Sequence, residues 1–171
     1  YWPIYPEKLR QMFVKSFTVG LKEPTKRITE LEWMTIFANM MSGIMHCPKC
    51  SAPVFYDEVL EQQGAGHVCW NCSNTITVPA KLIVGKNQVL LGLGTKIYHH
   101  HIYNDYDMDT IVGSVVQNPA TPNLWGIRNE DTVNWTYEKT NGTQMPVAPG
   151  RTAGIVKGVK IHFINGIGEF R

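Results

Sequence analysis

The chain has 171 residues, 16 of them basic and 14 acidic, for a formal net charge of +2, and 43% of it is hydrophobic. That is enough for a packed core, in one ordinary domain or two to three small ones. No run of about 18 apolar residues exists to span a membrane, and no basic stretch leads into an apolar one as in a signal peptide. Charges alternate in sign, as between Lys22 and Arg27, so the basic stripe of a nucleic-acid binder is missing too. The first residue is Tyr1 rather than Met, so a fragment of a longer chain is expected ahead of a processed one. The expected location is cytoplasmic.

Residues 1–45 read as a helical hairpin. Pro6 suits a first helical turn, and Leu9, Met12, Phe13 and Phe17 then recur at helical spacing, with Gly20 as the stop. A second helix starts at Thr29-Glu30-Leu31-Glu32, a capping-box pattern in which Thr29 and Glu32 satisfy each other's backbone N–H groups. Leu31, Met34, Phe37 and Met41 fall on one face. Two helices of this length cannot enclose so many apolar groups, so they are expected to pack on something else.

Residues 46–79 hold all four cysteines, as Cys47-Pro-Lys-Cys50 and Cys69-Trp-Asn-Cys72. The linker Ser51 to Val68 fits the spacing of about 15–20 residues between two pairs that share one zinc. Two residues between thiolates let both sulfurs reach one ion from a tight turn. Four thiolates close a tetrahedral shell, which suits a structural zinc. Val54-Phe55-Tyr56 and His67-Val68 read as strands and Gly64-Ala65-Gly66 as a turn, so the segment is expected to be a zinc ribbon. A rubredoxin-like iron site uses the same donors but usually has Gly after each second Cys, where Ser51 and Ser73 stand. Two disulfides would need an oxidising compartment. His46 and His67 are expected to be bystanders, because the shell is full without them. A segment this small relies on the metal for its folding energy.

Residues 80–171 change to short β-rich runs: Lys81–Val84, Gln88–Leu91, Thr95–Ile102, Ile111–Gln117, Leu124–Arg128, Asn134–Glu138, Arg151–Val156 and Val159–Ile164. Turn residues separate them, among them Asn104-Asp105 and Asn141-Gly142. The pattern predicts a β-sandwich with no helix. On a strand, His99 and His101 would share a face, and two histidines alone make a weak metal site. The whole is therefore expected to be mainly β with an N-terminal α segment.

Two resemblances add to this reading. Gly20-Leu21, Pro24, Arg27, Thr29 and Glu32-Trp33 resemble the last helices of the protein-kinase C-lobe, with Ile28 where that family often has Pro. The resemblance implies a structural role for Arg27, as the partner of a buried Glu. The Gly-rich loop with its strand lysine, the His-Arg-Asp loop and the Asp-Phe-Gly element are absent from the sequence, so this chain is not expected to be an enzyme.

Residues 81–171 resemble a divergent forkhead-associated (FHA) domain. The likeness rests on strand order, Gly92-x-Gly94-x-x-Ile97, Trp125-Gly126-Ile127-x-Asn129 and Gly158-Val159-Lys160-Ile161-His162-Phe163. In that family a loop Arg and a loop Ser bind a phosphothreonine phosphate, and a Ser-x-Asn-Gly stretch supports the peptide. Here Asn134, in Thr132-Val133-Asn134-Trp135, is the match to that stretch. The loop Arg has no counterpart, and Arg128 or the histidines are its only substitutes.

The order of helices, ribbon and FHA-like sandwich resembles the C-terminal region of bacterial serine/threonine kinase-like proteins, including those associated with tellurite-resistance clusters. It implies a regulatory or adaptor module whose partner is a protein or the parent kinase domain. The alternatives are a phosphothreonine-peptide reader and a structural or oligomerising module. Self-association is expected if the helical face is left uncovered.

Overall fold

The computed structural model describes residues 1–103 and 105–171. They form two compact units, 1–78 and 79–171. The turn expected at Asn104-Asp105 includes Asn104, which lies outside the described residues.

In the first unit, helix α1 spans Glu7–Phe17, and Pro6 takes its N-cap rather than its first turn. The helix stops before Gly20. The Thr18 hydroxyl bonds back to the Val14 carbonyl at 2.7 Å, and the chain kinks at Thr18 into a short helix α2, Val19–Lys22, which contains Gly20. Gly20 is buried, and Arg27 Nε donates to its carbonyl at 2.9 Å, so the arginine braces the turn between the helices. Helix α3, Glu30–Ser42, starts with the expected capping box: Thr29 Oγ1 accepts from the Glu32 N–H, and Glu32 accepts from the Thr29 N–H. Only Ile36 of this helix is buried. Strands β1, Ile44–His46, and β2, Pro53–Phe55, pair antiparallel. Helix α4, Glu58–Gln62, follows, and β3, His67–Val68, pairs with β4, Thr75–Ile76.

In the second unit the strands are β5 Lys81–Val84, β6 Asn87–Leu90, β7 Lys96–Tyr98, β8 Ile111–Gln117, β9 Trp125–Asn129, β10 Trp135–Glu138, β11 Gln144–Val147, β12 Thr152–Gly154, β13 Lys160–His162 and β14 Ile167–Phe170. Among the described residues they form two antiparallel sheets, β11-β10-β13-β14-β5-β6 and β12-β9-β8-β7. Both sheets feed one apolar core, with Leu82, Ile97, Ile127, Trp135, Ile161 and Phe170 at its centre. The Asn141-Gly142 turn joins β10 to β11 as expected. Gly142 has a positive φ of 80°, and Asn141 Oδ1 accepts from the Thr143 N–H.

The strand expected over Thr95–Ile102 is corrected. It ends at Tyr98, after a register shift, and helix α5 spans His99–Tyr103. The cause is local capping. His101 Nδ1 accepts from the Tyr98 N–H at 2.9 Å, and Asn87 Nδ2 donates to the carbonyls of both His100 and His101. These groups no longer need a neighbouring strand. His99 and His101 therefore do not share a strand face. His101 is buried, while His99 pairs with Asp105 at 2.6 Å.

Burial holds the His101 imidazole down to about 3, with His100 adding to the effect. The folded state thus keeps it neutral where the unfolded chain takes a proton. Its contribution is complete above about pH 6.5 and falls by about 1.4 kcal/mol per pH unit below that, until about pH 3. Protection factors in β6 to β8, taken relative to intrinsic exchange at each pH, are expected to fall accordingly between about pH 6.5 and 4. His101→Asn keeps an acceptor for Tyr98 and should flatten that slope; an equal slope in the variant would assign it to other groups.

Candidate metal centre

Each cysteine pair occupies a turn of the same construction. Ser51 N–H donates to the Cys47 carbonyl at 2.8 Å and Cys47 N–H to the Ala52 carbonyl at 3.0 Å. Ser73 N–H donates to the Cys69 carbonyl at 2.8 Å and Cys69 N–H to the Asn74 carbonyl at 2.8 Å. Ser51 and Ser73 sit at the matching place in the left-handed region, at φ 58° and 57°. This is the position where a Gly is usual, and serine holds it at a cost of about 1–2 kcal/mol. Glycine relieves that strain and gives back part of the gain as unfolded-chain entropy. Ser51→Gly and Ser73→Gly are each expected to stabilise the metal-loaded protein by about 0.5–1 kcal/mol in urea unfolding. A loss of stability on either change would contradict this account of the turns.

The two turns bring the four sulfurs together. Cys47 Sγ lies 3.6 Å from Cys72 Sγ, and Cys50 Sγ lies 3.6 Å from Cys69 Sγ. All four sulfurs lie within 4.8 Å of one another. A tetrahedral ion with metal–sulfur bonds of about 2.3 Å needs sulfur–sulfur distances of about 3.8 Å. A disulfide needs about 2.05 Å, and the four cysteines are free. The cluster therefore fits one metal ion of the kind zinc represents. Cys47 and Cys69 are buried, while Cys50 and Cys72 are half-buried.

The electrostatics favour a cation at the centre. Burial pushes the Cys47 thiol up, but the N–H groups of Lys49 and Cys50 outweigh it and hold it below the usual thiol range. The Ala52 N–H and the Asn71 side chain hold Cys50 down to about 6. The Asn74 N–H favours the Cys72 thiolate, yet burial and the other three sulfurs push that thiol up to about 12. Without a metal, charge on Cys72 is thus resisted by burial and by the neighbouring sulfurs. A dication removes that resistance.

The support around the cluster comes from Asp57 and His67, neither of them a ligand. The buried Asp57 caps two helices: Oδ2 accepts from the Glu7 N–H at 2.8 Å and Oδ1 from the Val59 N–H at 3.0 Å. Its own N–H donates to His67 Nε2 at 2.8 Å. His67 is buried against Tyr56, two residues before Cys69, and its Nε2 lone pair is occupied by that bond. Asp57 thereby ties the start of α1 to the strand that leads into Cys69. The sequence signal was an Asp just ahead of Glu58-Val59-Leu60-Glu61, an N-cap pattern between the expected strand and the expected turn.

Arg128 and Asn134 are both exposed, on β9 and in the loop before β10. No hydrogen bond or ion pair joins them among the described residues. The organising residue of that loop is Asn129. It is fully buried, donates to the carbonyls of Val133 and Val147 at 2.9 and 2.8 Å, and accepts from the Asp131 N–H at 2.9 Å. Tyr103 donates to Asp131 at 2.7 Å and so fastens α5 to the same loop. Glu130, Asp131, Asp105, Asp107 and Asp109 make these loops acidic. No helix among the described residues is long and apolar enough to cross a membrane. Compared with known protein families, curated proteins and solved structures, the chain matches none of them.

Proposed function

We propose that this chain is a non-catalytic regulatory or adaptor module of a bacterial serine/threonine kinase-like protein. In this reading Cys47, Cys50, Cys69 and Cys72 hold one structural zinc, and residues 46–79 form a stiff joint. The FHA-like sandwich of residues 80–171 presents a surface to a protein partner or to the parent kinase domain. The observation that carries the partner surface is an open groove of about 770 Å³ in the second unit. Leu91, Val116, Leu124, Trp125, Ile155 and Val156 line it, and no lining residue is charged. The edge strand β12 borders it, and grooves of this kind take apolar side chains of a partner. The paired antiparallel sheets support the sandwich, and the capping box that starts α3 supports the helical reading of the first segment.

The acidic loops favour an unphosphorylated partner over the phosphothreonine alternative. A phosphate dianion needs charge-assisted donors, and the residues around Asn134 supply Asp131 and Glu130 instead. The test is binding to a phosphothreonine peptide library and to its unphosphorylated counterpart, with zinc content measured on the same sample. Binding that ignores phosphorylation is expected, and it should weaken with Val156→Lys in the groove. Phosphate-dependent binding would replace this reading with the peptide-reader one.

A further inference from the structure

The first unit carries a surface that the proposed function leaves unused. Four rings run without a break across its two long helices. Phe17 stacks on Phe13 at 6.4 Å, Phe13 meets Trp33 edge-on at 5.0 Å, and Trp33 stacks on Phe37 at 5.7 Å. The ends of this row face solvent, together with Val14, Leu31, Met34 and Met41. These four side chains, with Phe17 and Phe37, are 42–67% exposed. From Trp33 to Ile44 the chain has no charged residue. Solvated helix faces carry charge, and contiguous apolar ones mark an interface.

We infer that this face pairs with a second copy of the chain, α3 against α3 in antiparallel orientation. Area and self-complementarity point to that occupant. Six half-exposed side chains offer on the order of 100 Å² each, about 600 Å² per copy and about 1,200 Å² in a pair, which reaches the lower end of specific interfaces. A two-fold interface must match itself. Antiparallel pairing about a point near Ile36 sets Leu31 against the partner's Met41 and Met34 against the partner's Phe37. Both are a long flexible side chain against a fixed one, and the second is a sulfur–aromatic contact. Ile36 faces away into its own unit, so the pairing disturbs no existing packing. Glu30 and Glu32 lie at the rim, in the first turn.

The test is sedimentation velocity of the zinc-loaded full chain over two decades of micromolar concentration. A species of twice 19.3 kDa is expected, growing with concentration. Met34→Glu with Phe37→Glu sets like charges against each other across the pair and should weaken it at least about tenfold without loss of zinc or helix content. Benzoylphenylalanine in place of Met34 tests the geometry without relying on a charged variant, and should cross-link to the partner's α3. A monomer throughout, or a dimer whose cross-links fall outside α3, would overturn the proposal. A monomer would assign the face to another protein, such as a kinase-like lobe. Peptide binding by the second unit is read separately, so either result leaves the proposed function to its own test.

Discussion

Removing the metal with a chelator, or replacing Cys69 by serine, is expected to unfold residues 44–78 while the strands of residues 79–171 keep their amide protection. The ribbon buries few apolar side chains: Met45, Val54, Tyr56 and Ile76, besides two of the cysteines themselves. Its strands are two or three residues long. Such pieces do not hold together in water unaided. A structural zinc contributes about 10–16 kcal/mol of apparent binding energy at neutral pH, which exceeds anything this apolar set supplies. The loss should spread to α1, because the Glu7 N–H is held by Asp57, and Asp57 is held in turn by His67 next to the second turn. Hydrogen exchange read by mass spectrometry checks all of this in one experiment. Unchanged protection in β1 to β4 after metal removal would mean that the ribbon folds on packing alone.

Asn129→Ala is expected to cost the second unit about 3–5 kcal/mol, read as a lower urea midpoint. One fully buried side chain makes three hydrogen bonds. Alanine removes all three bonds, the one to Val147 buried and those to Val133 and Asp131 part-buried, and each group left without a partner costs about 1–3 kcal/mol. Asn129→Asp offers no rescue, since it removes both donors and adds a buried charge. A cost below about 1 kcal/mol would mean that the 130–134 loop rearranges to satisfy those groups.

What the sequence made readable follows from where local chemistry decides structure. The α3 start was legible because Thr29 and Glu32 carry the whole capping box within four residues. The four-cysteine cluster was legible because spacing alone brings both pairs to one point. The strands Lys81–Val84 and Ile111–Gln117 were legible from β-branched, apolar runs between turn residues. Strand β11 was hidden by Pro146, which an edge strand tolerates because it lacks a neighbour on one side. Strand β14 was hidden by Gly168, which looks like a turn residue. It is there for a close approach: a Cβ at that position would lie 2.8 Å from Leu82 Cδ1.

Helix α5 was invisible for a different reason. Three histidines on a β-like run gave no signal of a stop. The stop comes from Asn87, distant in sequence, and from His101 acting on the backbone of Tyr98. The same limit applies to Asp57 and Asn129. Their identities were plain, but their partners are up to 50 residues away. The part of the reading that named Asn134 as a contact residue relied on local likeness, and the loop it belongs to is set by Asn129.

Metal analysis with X-ray absorption, on the protein purified without added metal, decides the zinc assignment. One zinc per chain with four sulfur neighbours at about 2.3 Å is expected. Iron in its place, fewer than four sulfurs, or a metal-free chain with disulfides and an intact ribbon would contradict it.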